Sequence, residues 1–132
     1  MSKSNFNESK VINSQFGADS ISPATVYLAF HTADPGEGGN QGTNEATYTG
    51  YARQPLAAVT GWDLTQGQAA NALDLEVPEA TAGSETLTFF SVGEDVTGAG
   101  NILYSAALTS DVVITSGVIV RVSAGNLVII EQ

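Results

Sequence analysis

Beyond residue 22 no stretch sustains a helical period. What recurs instead is short apolar or β-branched runs, each closed by Gly, Ser, Thr or Asn. In 25–31, Val26, Leu28 and Phe30 share one face. Leu73-Asp74-Leu75-Glu76-Val77 alternates, three apolar side chains to one side and two carboxylates to the other. In 85–92, Leu87 and Phe89 oppose Thr86, Thr88 and Phe90, and 101–108 places Ile102, Tyr104, Ala106 and Leu108 together. Three further runs, 111–114, 117–122 and 126–130, are separated by Ser116-Gly117 and Ala124-Gly125-Asn126, which is turn chemistry. Segments 50–59 and 67–70 are weaker strand candidates. A chain of 132 residues patterned this way supports one domain with a sizeable core. It predicts an antiparallel all-β sandwich, with a jelly roll as one form, over 23–132. Residues 1–22 form an N-terminal arm, extended or in a short helix.

Charge narrows the partners. The chain carries −10, with 14 acids against four Lys and Arg. Phosphate neutralisation needs clustered cations, so nucleic acid is excluded as a partner. No run is long and apolar enough to cross a membrane, and 1–16 lacks the hydrophobic stretch of a signal peptide. These features predict synthesis in a cytoplasm without export by the general route. The absence of Cys excludes a disulfide framework and thiolate chemistry. Two of the four cations, Lys3 and Lys10, sit in the first ten residues, beside the apolar Phe6, Val11, Ile12 and Phe16 at loosely helical spacing. That segment reads either as a solvated terminus or as an arm that docks on a neighbour through Lys3, Phe6, Lys10, Val11, Ile12 and Phe16.

Chemistry is sparse. His31 is the single histidine, and no Gly-x-Ser-x-Gly elbow accompanies it, so it reads as a packing residue. Paired carboxylates of a glycosidase remain open as a minor reading. The Gly-rich loop 32–49 is longer than an ordinary connection, and long loops are usually functional or mobile. It holds Asp34, Glu37, Asn40, Asn44 and Glu45, oxygen ligands for Ca²⁺ whose spacing is not that of an EF-hand; a solvated acidic loop is the other reading. The loop lacks the Lys and Ser/Thr of a phosphate-binding motif. No catalytic residue, metal or cofactor is assigned. Tyr48, Tyr51 and Trp62 lie in or beside loops, with a core or hinge role expected for Tyr51 and a surface role open for Trp62. Arg53, one of two cations in the body, reads as one half of a structural ion pair or as an interface residue. Free sheet edges in such a fold make a homo-oligomer attractive, because association buries them.

Three stretches carry a resemblance: Tyr27-Leu28-Ala29-Phe30-His31-Thr32-Ala33-Asp34-Pro35-Gly36, Gly50-Tyr51-Ala52-Arg53-Gln54, and Gly100-Asn101-Ile102-Leu103-Tyr104-Ser105-Ala106-Ala107-Leu108-Thr109 with a closing Ala124-Gly125-Asn126-Leu127. In this order the chain, over residues 4–130, resembles a family of small structural proteins of tailed bacteriophages, variously labelled tail fibre, minor structural or head decoration protein. It departs from the family pattern at Thr47-Tyr48-Thr49 and Gly117-Val118. The resemblance implies a virion component with no catalysis and no cofactor. Strong negative charge opposes a site against packaged DNA, leaving the head exterior or the tail. The leading expectation is a capsid decoration or cement protein, a homotrimer gripping the major capsid protein through its arm. The alternative is a tail-associated or tail fibre protein touching tail proteins and host glycans through loop aromatics. A polysaccharide-degrading enzyme is the minor third.

Overall fold

A computed structural model describes residues 1–17 and 24–131. The elements in chain order are β1 (Ser2–Lys3), α1 (Asn5–Phe16), β2 (Val26–His31), β3 (Gln54–Leu56), β4 (Trp62–Thr65), β5 (Gln68–Asn71), β6 (Leu75–Glu76), β7 (Glu85–Gly93), β8 (Ile102–Ile114), β9 (Arg121–Val122) and β10 (Val128–Ile130). The main sheet runs β1-β8-β7-β2-β3 and the second β10-β5-β4, while β6 and β9 form a two-stranded ribbon. Every pairing is antiparallel. Leu28, Phe30, Leu56, Leu87, Val92 and Ile114 of the main sheet meet Ile129 of the second sheet, and Leu127 just before it, in one core, with Val77, Ala80 and Val120 closing it. The fold is the expected antiparallel all-β sandwich. The expected boundary between arm and body, at 22/23, lies outside the described residues.

Two strand expectations change. Segments 101–108 and 111–114 are one strand, β8, because Thr109-Ser110-Asp111 forms an excursion within it and not a turn. Leu87 pairs with Val112 and Phe89 with Ala107, so one residue of β7 faces four of β8. The excursion breaks the pleat's phase, and Leu87 and Phe90, not Leu87 and Phe89, pack toward the core. In 73–77 only Val77 is deeply buried; Leu73 is 67% exposed because the strand proper begins at Leu75. A four-residue strand, β4, is additional to the sequence expectation.

The other face of the main sheet is covered as well. Ala29, His31 and Ser91 are fully buried there beneath loop 32–49, which is laced to its surroundings. Thr32 N–H donates to Asn44 O (2.8 Å), Ala46 N–H to Phe30 O (2.9 Å), Gln41 N–H to Gly100 O (2.8 Å) and Thr49 N–H to Ala82 O (3.0 Å). The loop is a third, polar layer and not a free strap.

The arm is part of this layer. Ser2 and Lys3 pair with Ser105 and Tyr104 at the sheet edge. Ser4 then caps α1, its Oγ accepting from Asn7 N–H (3.1 Å) while its hydroxyl donates to Ile102 O. Asn7 Nδ2 reaches Leu103 O at 3.3 Å. The helix thus sits on β8 through polar groups: Asn7 is buried, Lys10, Val11 and Ser14 are half-buried, and Phe6, Ile12 and Phe16 face outward. Replacing Ser4 by Ala removes the cap and one anchor to β8. It is expected to cost about 1 kcal/mol, measured as a lower denaturant midpoint at unchanged m-value.

Candidate functional site

The most elaborate side-chain constellation joins the loop to the sheet through Glu45, Tyr51 and Arg53. Arg53 is 6% exposed. Its guanidinium grips Glu45 with two parallel bonds, Nε to Oε2 at 2.6 Å and Nη2 to Oε1 at 2.8 Å. The remaining donors reach backbone oxygens across the cleft, Nη1 to Asp95 O (2.9 Å) and Nη2 to Gly98 O (2.6 Å). Tyr51 donates to Glu45 Oε2 (2.7 Å) and accepts from Phe30 N–H (3.2 Å). The carboxylate beside Arg53 holds the guanidinium in its charged form. Burial, followed by the hydrogen bond to Glu45, pushes the Tyr51 hydroxyl far above its ordinary pKa, so it stays a neutral donor.

Gln41 extends the network. Fully buried, it exchanges two bonds with Asp95: Nε2–H to Asp95 O (3.1 Å) and Asp95 N–H to Oε1 (2.9 Å). Gly93 and Gly100 lie directly against its side chain, where any Cβ would overlap it. Gln41 and Arg53 therefore hold the same carbonyl, Asp95 O, from two sides. The result is a closed clasp between loop 32–49, the segment after Gly50 and the β7–β8 connection.

His31 sits beside the clasp. Its Nδ1 is 2.8 Å from Thr43 O and its Nε2 2.7 Å from Ser91 Oγ. A carbonyl only accepts, so Nδ1 carries the proton and Nε2 accepts from the Ser91 hydroxyl, the neutral tautomer. Burial lowers its pKa below 6.5, against smaller opposing contributions from Thr43 and Glu45. The unfolded chain takes up this proton more readily than the folded one. The stabilising contribution of His31 is therefore complete above about pH 6.5 and is lost as pH falls toward the folded-state value. A His31→Gln variant is expected to be less stable at pH 7, with the gap to the natural protein narrowing as the pH is lowered toward 5. Melting temperatures across that range measure it.

The oxygen ligands of the loop do not converge. Asp34 accepts from Gly36 N–H (2.8 Å), Asn40 from Gly42 N–H (2.8 Å) and Glu37 from Ser2 (2.7 Å), while Asn44 donates to Asp34 O (3.3 Å) and Glu45 is taken by Arg53. Among the described residues no group of three or more acidic or histidine side chains comes together as a metal site. Tyr48, one of the loop aromatics, is buried against Tyr51 with ring centroids 5.5 Å apart, and Trp62, for which a surface role was open, is half-buried on the core.

The arm residues are divided. Lys3 is tied into the body, its ammonium paired with Glu131, whose other carboxylate oxygen accepts from Tyr104. Burial works against ionisation of Glu131, but the bonds from Lys3 and Tyr104 outweigh it and hold its carboxyl below the ordinary range. Burial and that same bond push Tyr104 up to about 12. Lys10 and Val11 are half-buried; Phe6 and Ile12 are exposed, and Phe16 is 82% exposed. Sequence reasoning missed Glu45, Gln41 and Asp95 as the partners that define the clasp. The only local signal was a carboxylate eight residues before one of the body's two arginines.

A fully committed Arg, a neutral buried His and an interlocked β-sandwich describe a structural module whose polar groups bind one another. The family model described as podophage GP4 fiber I protein gp80 matches residues 2–130, and the chain belongs to that family. It is a structural protein of tailed bacteriophages and so a virion component. No curated protein matches it.

Proposed function

We propose that this protein is a fibre component of the tail apparatus, acting by adhesion and not by catalysis. The observation that carries this reading is the reach of the fibre-protein match, which spans nearly the whole chain. A match of that reach supports reading the family's description as a property of this domain. The same match favours the fibre alternative over capsid decoration, the leading expectation from sequence. The site geometry supports a passive role, because Arg53, Glu45, Tyr51 and His31 spend their hydrogen-bonding capacity inside the fold. The exposed Phe6, Ile12 and Phe16 on α1 are the arm's remaining apolar groups for contact with tail proteins. Immunogold labelling of intact particles, with copy number from quantitative mass spectrometry, tests the reading. Label on the tail and a few copies per particle are expected; label over the head with hundreds of copies would overturn it in favour of decoration.

A further inference from the structure

The sandwich is left open at one corner, where β8 makes its excursion. Four residues of β8 face one of β7 there, and the strand bends between Leu108 and Val112. Behind the bend lies a cavity of 270 Å³. Its floor is core: Leu28, Phe30 and Leu127 line it, each 4% exposed or less. Its mouth is apolar too, with Leu108, Val112 and Val122 half-buried against that core. Bulges recur next to binding sites because they re-aim a strand, and this one leaves the space between the sheets reachable from outside.

The rim is polar. Ser110 of the excursion, Arg121 of β9 and Asn126 just before β10 contribute to it, while Asp111, next to Ser110, does not line the cavity. In a chain of 14 acids and four Lys and Arg, the single charged side chain lining this cavity is therefore a cation, Arg121. Its Nε donates to Glu76 Oε2 (3.0 Å), and among the described residues its Nη1 and Nη2 have no acceptor. The side chain is 66% exposed, so those donors face water.

Size and chemistry select the occupant. At about 30 Å³ each, the volume share of a water, the cavity has room for roughly nine heavy atoms. An apolar side chain from a protein partner would fill the well and give the guanidinium nothing to hold. An apolar chain ending in a carboxylate does both, because the two Nη donors match the two carboxylate oxygens. We infer that this corner binds a single-chain fatty carboxylate of about eight carbons, its tail between the sheets and its head on Arg121. The tail supplies the affinity and the head the selectivity. A carboxylate approaches a chain of −10 against its field and gains attraction only at contact range. The ligand is the free acid, since a two-chained membrane lipid does not fit a well of this volume.

Methyl NMR of the full chain, titrated with octanoate or octanol below the concentration at which either aggregates, tests this. Saturable shifts are expected at Leu28, Leu108, Val112 and Leu127, and none at Val113, which is 63% exposed on the same strand and does not line the cavity. Arg121→Gln is expected to weaken octanoate about fivefold, the upper range for an exposed ion pair, and to leave octanol unchanged. Val112→Phe, which fills the mouth, is expected to abolish binding of both. Ala107→Phe, at the exposed lip of the cavity, is expected to do the same, so the inference does not depend on one variant's folding. Phosphatidylglycerol vesicles are expected to leave these methyls unshifted. No saturable shift with octanoate, an Arg121→Gln variant that binds octanoate as the natural protein does or loses octanol equally, or vesicles that engage the same methyls would overturn the inference. So would loss of the Ala107→Phe protein from particles without any octanoate binding by the natural protein, which would put a partner's side chain in the well.

Discussion

Replacing Arg53 by Ala is expected to lower the unfolding free energy by about 3–5 kcal/mol, the range for removing one partner of a buried ion pair. The loss exceeds one salt bridge because the guanidinium makes four bonds at once, two to Glu45 and one each to Asp95 O and Gly98 O. Without it the Glu45 carboxylate remains in a site where it is mostly shielded from water, and two carbonyls lose their donors. Arg53→Lys is expected to fall between the two, since a single ammonium cannot reproduce the fork. A double variant, Arg53→Met with Glu45→Gln, is expected to recover part of the deficit by removing the stranded charge. Urea melts of the four proteins measure these differences. A deficit below about 1 kcal/mol for Arg53→Ala would show that loop 32–49 is held mainly by its backbone bonds.

Leu87→Ala is expected to cost about 2–5 kcal/mol, because the side chain is fully buried on a central strand and a cavity replaces it. Leu73→Ala, by contrast, is expected to change stability by about 0.5 kcal/mol or less, as an exposed side chain does. The pair separates pattern from packing. Simple alternation along 73–77 and along 85–92 places both leucines in the core, and only the structure sets them apart.

The reason lies in what period-two patterning encodes. It marks which residues prefer a face; it does not mark where a ladder begins or slips. Val26, Leu28 and Phe30 were legible because β2 is central and regular. The union of 101–108 with 111–114 was hidden because Thr109-Ser110-Asp111 has the composition of a turn while its backbone stays in the strand. β4 was hidden because its four residues mix Trp, Asp, Leu and Thr and acquire strand form only beside β5. The clasp was harder still. Arg53 could be expected to find a carboxylate, yet two of its four acceptor bonds end on main-chain oxygens of a connection over forty residues away. Backbone acceptors have no sequence signature, so composition marks a need for partners without naming them.

The bond between Lys3 and Glu131 spans nearly the whole chain, so residues 3 and 131 leave the domain side by side. A pull applied through these two points would not run along the body. It would load the Lys3–Glu131 pair alone, and once that parted it would peel β1 from β8 and β10 from β5 a bond at a time. Such geometry resists traction poorly.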